Sequence, residues 1–175
     1  MSTIDIFKSQ LTGGGARANQ FAVTFTTAPA SAIDIPPSSQ FLCKAEALPG
    51  QTITEIAVPF RGRNLYLAGD REFETWDSTF LNDTNFDIRN AVESWMNGMN
   101  ELRDGTGAPN VSEYTADLTI NQLGRDNAVL KQYILRNCMP TAVSAIDLSM
   151  DTANAVEEFT VTWRYTHFQS VGVSN

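Results

Sequence analysis

Strict alternation of apolar and polar residues is the feature that most limits the fold of this 175-residue chain. In residues 159–168, apolar Phe159, Val161, Trp163 and Tyr165 alternate with threonines and an arginine. The same pattern occupies three further segments, residues 21–26, 41–47 and 114–120. This alternation is typical of antiparallel strands that have one buried and one polar face. Two more segments, residues 73–81 and 129–136, also have the composition of strands.

A single helix is indicated after the strand predicted to end at Leu81. Ile88, Val92, Trp95 and Met99 follow at a spacing that places them along one helix face. Six or more strands and one helix predict a mainly β protein. The expected fold is a small antiparallel β-barrel or sandwich of two packed sheets with one flanking α-helix.

The length suits one domain over residues 1–175, with a flexible N-terminal segment over about residues 1–18 that includes three consecutive glycines. Three segments are predicted as loops: residues 28–39, 49–64 and 103–111. Long loops in a compact domain are usually functional or disordered. We therefore expect some of these segments to carry function.

The charge of the chain argues against nucleic-acid binding, and its N-terminal sequence argues against export. The net charge is -8, and the only lysines are Lys8, Lys44 and Lys131. A DNA-binding protein needs a basic patch to neutralise phosphates, and none is visible. The N-terminus lacks a basic segment followed by an apolar one, which argues against a secretory signal. We expect the protein to be made in a cytoplasm, and we predict no membrane segment.

No residue pattern indicates catalysis. Cys43 and Cys138 lack metal-ligand or redox spacing and are predicted to be small buried residues. His167 falls on the apolar face of the last predicted strand, where a packed or interfacial histidine is expected. We predict no enzymatic activity, no catalytic residues, no cofactor and no metal site.

Several short motifs in a fixed order distinguish this chain. Residues 41–50 read FLCKAEALPG, residues 58–63 read VPFRGR, residues 67–71 read LAGDR and residues 73–76 read FETW. A strand-like run, Asn-Asp and the helix with its tryptophan follow. This order resembles the tail tube proteins of contractile-tailed bacteriophages (myovirus type). Tube subunits of type VI secretion and of extracellular contractile injection systems are related to them in fold.

The resemblance implies a structural subunit of a virion tail, assembled in the host cytoplasm. Hexameric rings of the subunit would stack into a hollow tube inside a contractile sheath, which conducts DNA into the host. The expected partners are other copies, the sheath protein, and the baseplate and tail terminator proteins. Viral DNA would pass through the tube without specific binding.

The resemblance also directs attention to particular residues. Arg61, Arg63, Asp70 and Arg71 lie in the motif-rich stretch and are candidate subunit-interface residues. The pair Asp70 and Arg71 is also compatible with a turn that carries an exposed ion pair. Glu46 and Asp117 are predicted on polar strand faces and are candidates for lining the lumen. Either residue fits a sheath-facing surface as well.

Other functions stay open at this point. Within contractile systems, a tube initiator, a tail completion protein or an inner-tube subunit of another injection system shares this fold. A carbohydrate- or receptor-binding β-sandwich is the alternative of another class, which exposed aromatic clusters on one sheet face would favour. Trp163 and Tyr165 share a face with Phe159 and Val161, which instead indicates a core.

The charge generates a first prediction. The assembled protein should bind duplex DNA only weakly, because acidic walls repel phosphates and attraction repeated at every ring would stall the moving DNA. A gel-shift titration at low salt, where phosphate contacts are strongest, measures this binding. Tight binding that salt abolishes would contradict the prediction and indicate a basic channel.

Overall fold

The mainly β class is confirmed by a computed structural model, which describes residues 3–11, 15–25, 35–151 and 155–172. The strands in these residues are β1 (Phe21–Phe25), β2 (Cys43–Glu46), β3 (Gln51–Phe60), β4 (Arg63–Phe73), β5 (Trp76–Leu81), β6 (Ala116–Leu123), β7 (Val129–Val143), β8 (Glu158–Arg164) and β9 (His167–Gly172). The helices are α1 (Thr3–Gln10), α2 (Ser39–Leu42), α3 (Asp87–Met99) and α4 (Val111–Tyr114).

The longest strand, β7, belongs to two sheets. Its residues 131–136 pair with β9, and its residues 139–143 pair with β8, both antiparallel. Sheet I therefore has the order β1-β6-β7-β9, and sheet II has the order β7-β8-β5-β2. The described strands do not close into a barrel, so of the two predicted architectures the sandwich is the one observed.

The chain passes from sheet I to sheet II at a defined point in β7. Asn137 adopts a left-handed conformation, with φ of 54°, and the opposite strand is interrupted at Tyr165 and Thr166, between β8 and β9. The Thr166 N–H donates a hydrogen bond to the Arg136 carbonyl over 3.0 Å. This bond links the continuous strand β7 to the interrupted chain opposite it, at the point where the ladder bends.

The apolar faces of the two sheets pack together. Sheet I contributes Val23, Leu118, Ile120 and Leu135, and sheet II contributes Cys43, Trp76, Phe80, Phe159, Val161 and Trp163, all of them buried. These residues follow the predicted alternation in β1, β6 and β8. Burial of this apolar surface is the main source of the stability of the sandwich.

Helix α3 packs on this core, as predicted. Ile88, Val92 and Trp95 are buried, and Met99 packs against the core from the edge. The Trp95 ring lies 5.6 Å from that of Trp163, and its Nε1 donates to the Tyr114 carbonyl over 2.7 Å. Because the indole N–H is satisfied, Trp95 is buried without a polar penalty.

Two local predictions are wrong. Residues 39–42 form the short helix α2, so the strand predicted at residue 41 begins only at Cys43. His167 does not lie on the apolar face, because the interruption at Tyr165 and Thr166 shifts the alternation; it starts β9 and is exposed.

The loop predictions have mixed outcomes. Within the segment predicted at 103–111, residues 103–110 contain no regular element, as predicted, and α4 begins at Val111. Within the segment predicted at 28–39, residues 28–34 lie outside the described part of the chain. At the N-terminus, α1 is exposed along its whole length. The single-domain organisation and the flexibility of about residues 1–18 stay predictions.

The second prediction concerns the anchor of α3. The change Trp95→Ala should lower the free energy of unfolding by about 3–5 kcal/mol, because the side chain is only 1% exposed and its removal leaves a cavity. Chemical denaturation measures this cost. Leu102→Ala is the control and should change stability by less than about 0.5 kcal/mol, since Leu102 is fully solvated. Equal effects of the two changes would contradict the packing of α3.

Candidate functional site

A long β-hairpin, β3–β4, forms a two-stranded sheet of its own. The prediction of a loop over residues 49–64 is therefore wrong. Arg61 and Gly62 connect the strands with φ of 47° and 82°. Two successive left-handed residues make the turn that matches the twist of a tight hairpin. The missed signal is the Arg-Gly pair between two alternating segments, in which arginine occupies a position that asparagine usually takes.

The motif around Gly69 has a structural cause. The pairing shifts between Ile53 and Glu55, so that Thr54 lies opposite both Gly69 and Asp70 in a β-bulge. A Cβ at Gly69 would stand 2.6 Å from Thr54 Oγ1 and 2.9 Å from its carbonyl oxygen. Only glycine fits this close approach, which explains the residue at this position.

One face of the hairpin is apolar and uncovered. The pairs Ile56 with Leu67 and Val58 with Leu65 stand side by side, and Phe60 extends the row toward the turn. All five residues are exposed, and Phe60 is 68% exposed. Clustered apolar side chains of this kind mark an interaction surface on a monomer. We call these five residues the hairpin apolar face.

The hairpin is anchored at its base. Phe73 at the end of β4 packs against Tyr165 and Phe168, with ring centroids 6.0 and 5.5 Å away. Just beyond it, Trp76 Nε1 donates to the Ala47 carbonyl over 2.5 Å. These contacts fix the base of the hairpin to the sandwich, while the remainder stands free.

The four predicted interface residues all lie on β3–β4 but at different heights. Arg61 and Arg63 are at the tip and are exposed. Asp70 and Arg71 lie near the bulge, within a strand and not in a turn, and Arg71 Nη1 donates to Gln51 Oε1 over 2.9 Å. The structure therefore places the four on one projecting element. Their role at an interface stays a prediction.

Glu46 does not lie on the polar face where the alternation predicts it. A register shift between Cys43 and Ala45 brings Glu46 opposite Ser78, which is fully buried on the inner face of β5. The carboxylate is turned partly inward as a result, and its Oε2 has no hydrogen-bond partner in the described residues. Its assignment to a lumen-facing surface stays untested, but the face predicted for it is wrong.

Glu46 borders an open concavity of about 610 Å³ between β1 and β2. Burial raises the pKa of Glu46 to about 8. The nearby Lys44 offers no compensation, because its ammonium is ion-paired with Glu158. The concavity thus contains a desolvated acid that the subunit itself does not neutralise.

Asp117 lies on the outward polar face of sheet I, as predicted. It is ion-paired with Arg136, and its Oδ1 accepts the Asn137 N–H over 3.2 Å. The same face continues with a hydrogen bond from Gln132 Nε2 to Asn121 Oδ1 at 3.0 Å. This face is hydrophilic and nearly self-neutralised. A lumen-facing role of Asp117 stays a prediction.

Comparisons with known proteins fit this arrangement. The family model described as phage tail tube protein matches residues 16–171. The chain is 31% identical over 163 residues to tail tube protein gp19 of Enterobacteria phage T4, which covers 90% of this chain and 93% of that protein. The tail tube protein of Serratia phage KSP90 is 30% identical over 175 residues, covering 98% and 97%.

The chain belongs to the phage tail tube family. It is a structural subunit of a phage tail tube and therefore part of the virion tail. The resemblance stated from the motifs is confirmed.

Solved structures show that other contractile machines share the fold of this tail tube protein. The anti-feeding prophage cap superposes with a TM-score of 0.67 at 14% identity, covering 90% of this chain and 91% of the cap. The sheath-tube complex of an extracellular contractile injection system gives 0.55 at 15% identity, covering 99% of both chains. A type six secretion system protein gives 0.51 at 8% identity, covering 87% and 83%.

The described part of this tail tube subunit contains no group of three or more potential metal-ligating side chains. Burial raises the pKa of the Cys43 and Cys138 thiols to about 12, so neither is a nucleophile at neutral pH. Their prediction as buried residues is confirmed. None of the described helices is long and apolar enough to span a bilayer.

The third prediction follows from Glu46. The folded subunit holds a proton on this carboxyl up to about pH 8, whereas the unfolded chain releases it near pH 4.5. The free energy of unfolding should therefore fall as the pH rises between these values, by up to about 1.4 kcal/mol per pH unit. Glu46→Gln should remove this contribution. Urea unfolding of unassembled subunits at pH 5 to 8 measures the difference, and parallel profiles would contradict it.

Proposed function

We propose that copies of this subunit close into rings of six, and that the rings stack into a hollow tube inside a contractile sheath. The observation that carries this proposal is the hairpin apolar face, which the subunit leaves exposed. Covering the face with another copy removes its apolar surface from water. The tube conducts DNA into the host.

The edges of sheet I support ring closure. In the described residues, β1 pairs only with β6, and β9 pairs only with β7. Each end of the sheet therefore presents unpaired backbone groups, which invite pairing with another strand. A β9 edge that joins the β1 edge of the next copy is a heterologous contact, and such contacts close into rings when the rotation permits.

In this arrangement the outward face of sheet I lines the channel. It carries Asp117 with Arg136, and the amides of Asn121, Gln132 and Gln169. A wall of paired charges and amides attracts phosphates only weakly, which suits rapid passage of DNA. We do not place Glu46 on this face, because it belongs to β2 of sheet II.

Sheath, baseplate and terminator proteins complete the proposed set of partners. Support comes from structures of the same fold within contractile machines, which include a sheath-tube complex, a baseplate and a sheath/tube terminator. The family is a structural one, and we propose no catalytic role for this chain. Main tube subunit is the role we favour over initiator or completion protein, because the curated relatives are tail tube proteins over nearly their whole length.

A sugar-binding sandwich is disfavoured by the aromatic residues. Trp76, Trp95 and Trp163 are all buried in the core, and so is Tyr165. The outward face of sheet II carries threonines instead, with Thr79 and Thr160 hydrogen-bonded at 3.0 Å. An aromatic platform that could stack on a sugar ring is therefore missing from this described face.

The fourth prediction tests the proposal through the hairpin apolar face. The double change Val58→Ser and Leu65→Ser should abolish tubes seen by negative-stain microscopy. The subunit itself should lose less than about 0.5 kcal/mol per site, because both side chains are already exposed. Val111→Ser with Leu148→Ser, two exposed sites away from the hairpin, is the matched control and should form normal tubes. Wild-type protein that stays monomeric at high concentration would overturn the proposal.

A further inference from the structure

The concavity beside Glu46 is lined by both polar and apolar side chains. Its lining includes the amides of Asn19 and Gln40 and the ring of Phe41. Phe41 is 80% exposed although it is a large apolar side chain. Glu46 adds a carboxylate whose Oε2 is buried and has no hydrogen-bond partner in the described residues. A fitting occupant brings both a cation and an apolar group.

A carboxyl buried in this way ionises readily only when a cation meets it. Burial penalises the ionised carboxylate. The neighbouring groups do not relieve this cost, because Cys43 is a buried thiol and the ammonium of Lys44 is held by Glu158. A guanidinium that enters the concavity would form charge-assisted hydrogen bonds in a place of low solvent screening.

The hairpin tip has the complementary chemistry. Arg61 and Arg63 flank Gly62, and the Arg61 guanidinium lies 5.3 Å from the centroid of the Phe60 ring. Neither arginine takes part in any of the three ion pairs found among the described residues. The tip therefore presents two available cations beside an exposed aromatic ring, the counterpart of Glu46 beside Phe41.

The tip does not reach the concavity of its own subunit. Glu46 ends β2, five residues before β3 begins, so it lies close to the base of the hairpin. The ten residues of β3 separate base from tip, and at strand spacing this amounts to roughly 30 Å. A contact between the two therefore needs a second copy of the chain.

We propose that the concavity at Glu46 and Phe41 receives the hairpin tip of another copy, with Arg61 or Arg63 neutralising Glu46. This inference rests on the proposed function and names the two halves of its axial joint. The tip of one copy meets the base of the next, which is a head-to-tail contact. Such a contact does not close on itself and propagates as an open stack. The hairpin apolar face is covered along the same contact.

Single-side variants give the first test, measured as the critical concentration for tube formation by sedimentation and microscopy. Glu46→Gln keeps the shape of the side chain and removes the charge. This change, and separately Arg61→Glu with Arg63→Glu, should raise the critical concentration about tenfold or more, as loss of a charge-assisted bond implies. The controls Asp147→Lys and Arg103→Glu with Arg125→Glu change exposed charges elsewhere and should assemble as the wild type does.

A mixing experiment tests the pairing itself. Glu46→Lys leaves the tip intact, and the double arginine variant leaves the concavity intact. Neither should form tubes alone, but their mixture should form tubes, because the arginine tip of the Glu46→Lys copies fits the intact concavity of the double arginine variant, and the acidic tip of that variant meets the basic concavity of the Glu46→Lys copies. The triple variant, Glu46→Lys with Arg61→Glu and Arg63→Glu, should recover tubes because the charges are exchanged. Circular dichroism and the thermal midpoint establish that each variant is folded, and Glu46→Gln carries the test where Glu46→Lys is unfolded.

The outcomes separate this inference from the proposed function. Normal tubes from Glu46→Gln or from the double arginine variant overturn the joint and leave tube assembly standing. Loss of tubes in both, with no tubes from either the mixture or the triple variant, places the residues in different contacts and also overturns it. Wild-type protein that forms no tubes contradicts the proposed function and the joint together.

Discussion

The sharing of β7 between two sheets is the constraint on which the rest of the structure depends. The strand turns from sheet I to sheet II at Asn137, whose left-handed conformation costs about 1 kcal/mol or more for a residue other than glycine. The Thr166–Arg136 hydrogen bond holds the opposite chain at the same point. The bend makes the two apolar faces meet, so that Phe25 of sheet I packs against Trp163 of sheet II. Burial of these large rings offsets the local strain many times over.

A core completed in this way explains why the hairpin remains outside. Both sheets and α3 already cover one another, and the hairpin contributes only Phe73 at its base to the packed cluster. Five apolar residues on a free hairpin then have no place within the subunit. In water such a face is a liability, since uncovered strands and apolar rows promote association. In a tube subunit the same association is the function, directed by geometry to particular neighbours.

The sequence predicts the sandwich well and the assembly surfaces poorly, for physical reasons. The fold class follows from two patterns that report burial directly. One is the alternation at Phe159, Val161 and Trp163, and the other is the row of apolar residues along one helix face that begins at Ile88. β-Bulges and residues in the left-handed conformation give weaker signals in the sequence. One register shift after Cys43 reverses the face of Glu46, because side chains alternate with a period of two. The hairpin was missed because Arg61 occupies a turn position that favours Asn, Asp or Gly. The resemblance to tail tube proteins identified the relevant stretch of sequence but did not predict that it forms a hairpin.

Electrostatics places a further demand on the joint between copies. Each chain has 20 acidic and 12 basic residues, so subunits repel one another before they touch. This repulsion acts between exposed charges and is screened within about 8 Å at physiological ionic strength. A contact between Glu46 and a tip arginine lies in a desolvated concavity and is screened far less. The attraction at the joint therefore exceeds the screened repulsion only when two subunits meet at short range and in the correct geometry. In an acidic chain, the two arginines at the hairpin tip favour the stacked arrangement, because they meet an acid there while the net negative charge of the subunits opposes other approaches.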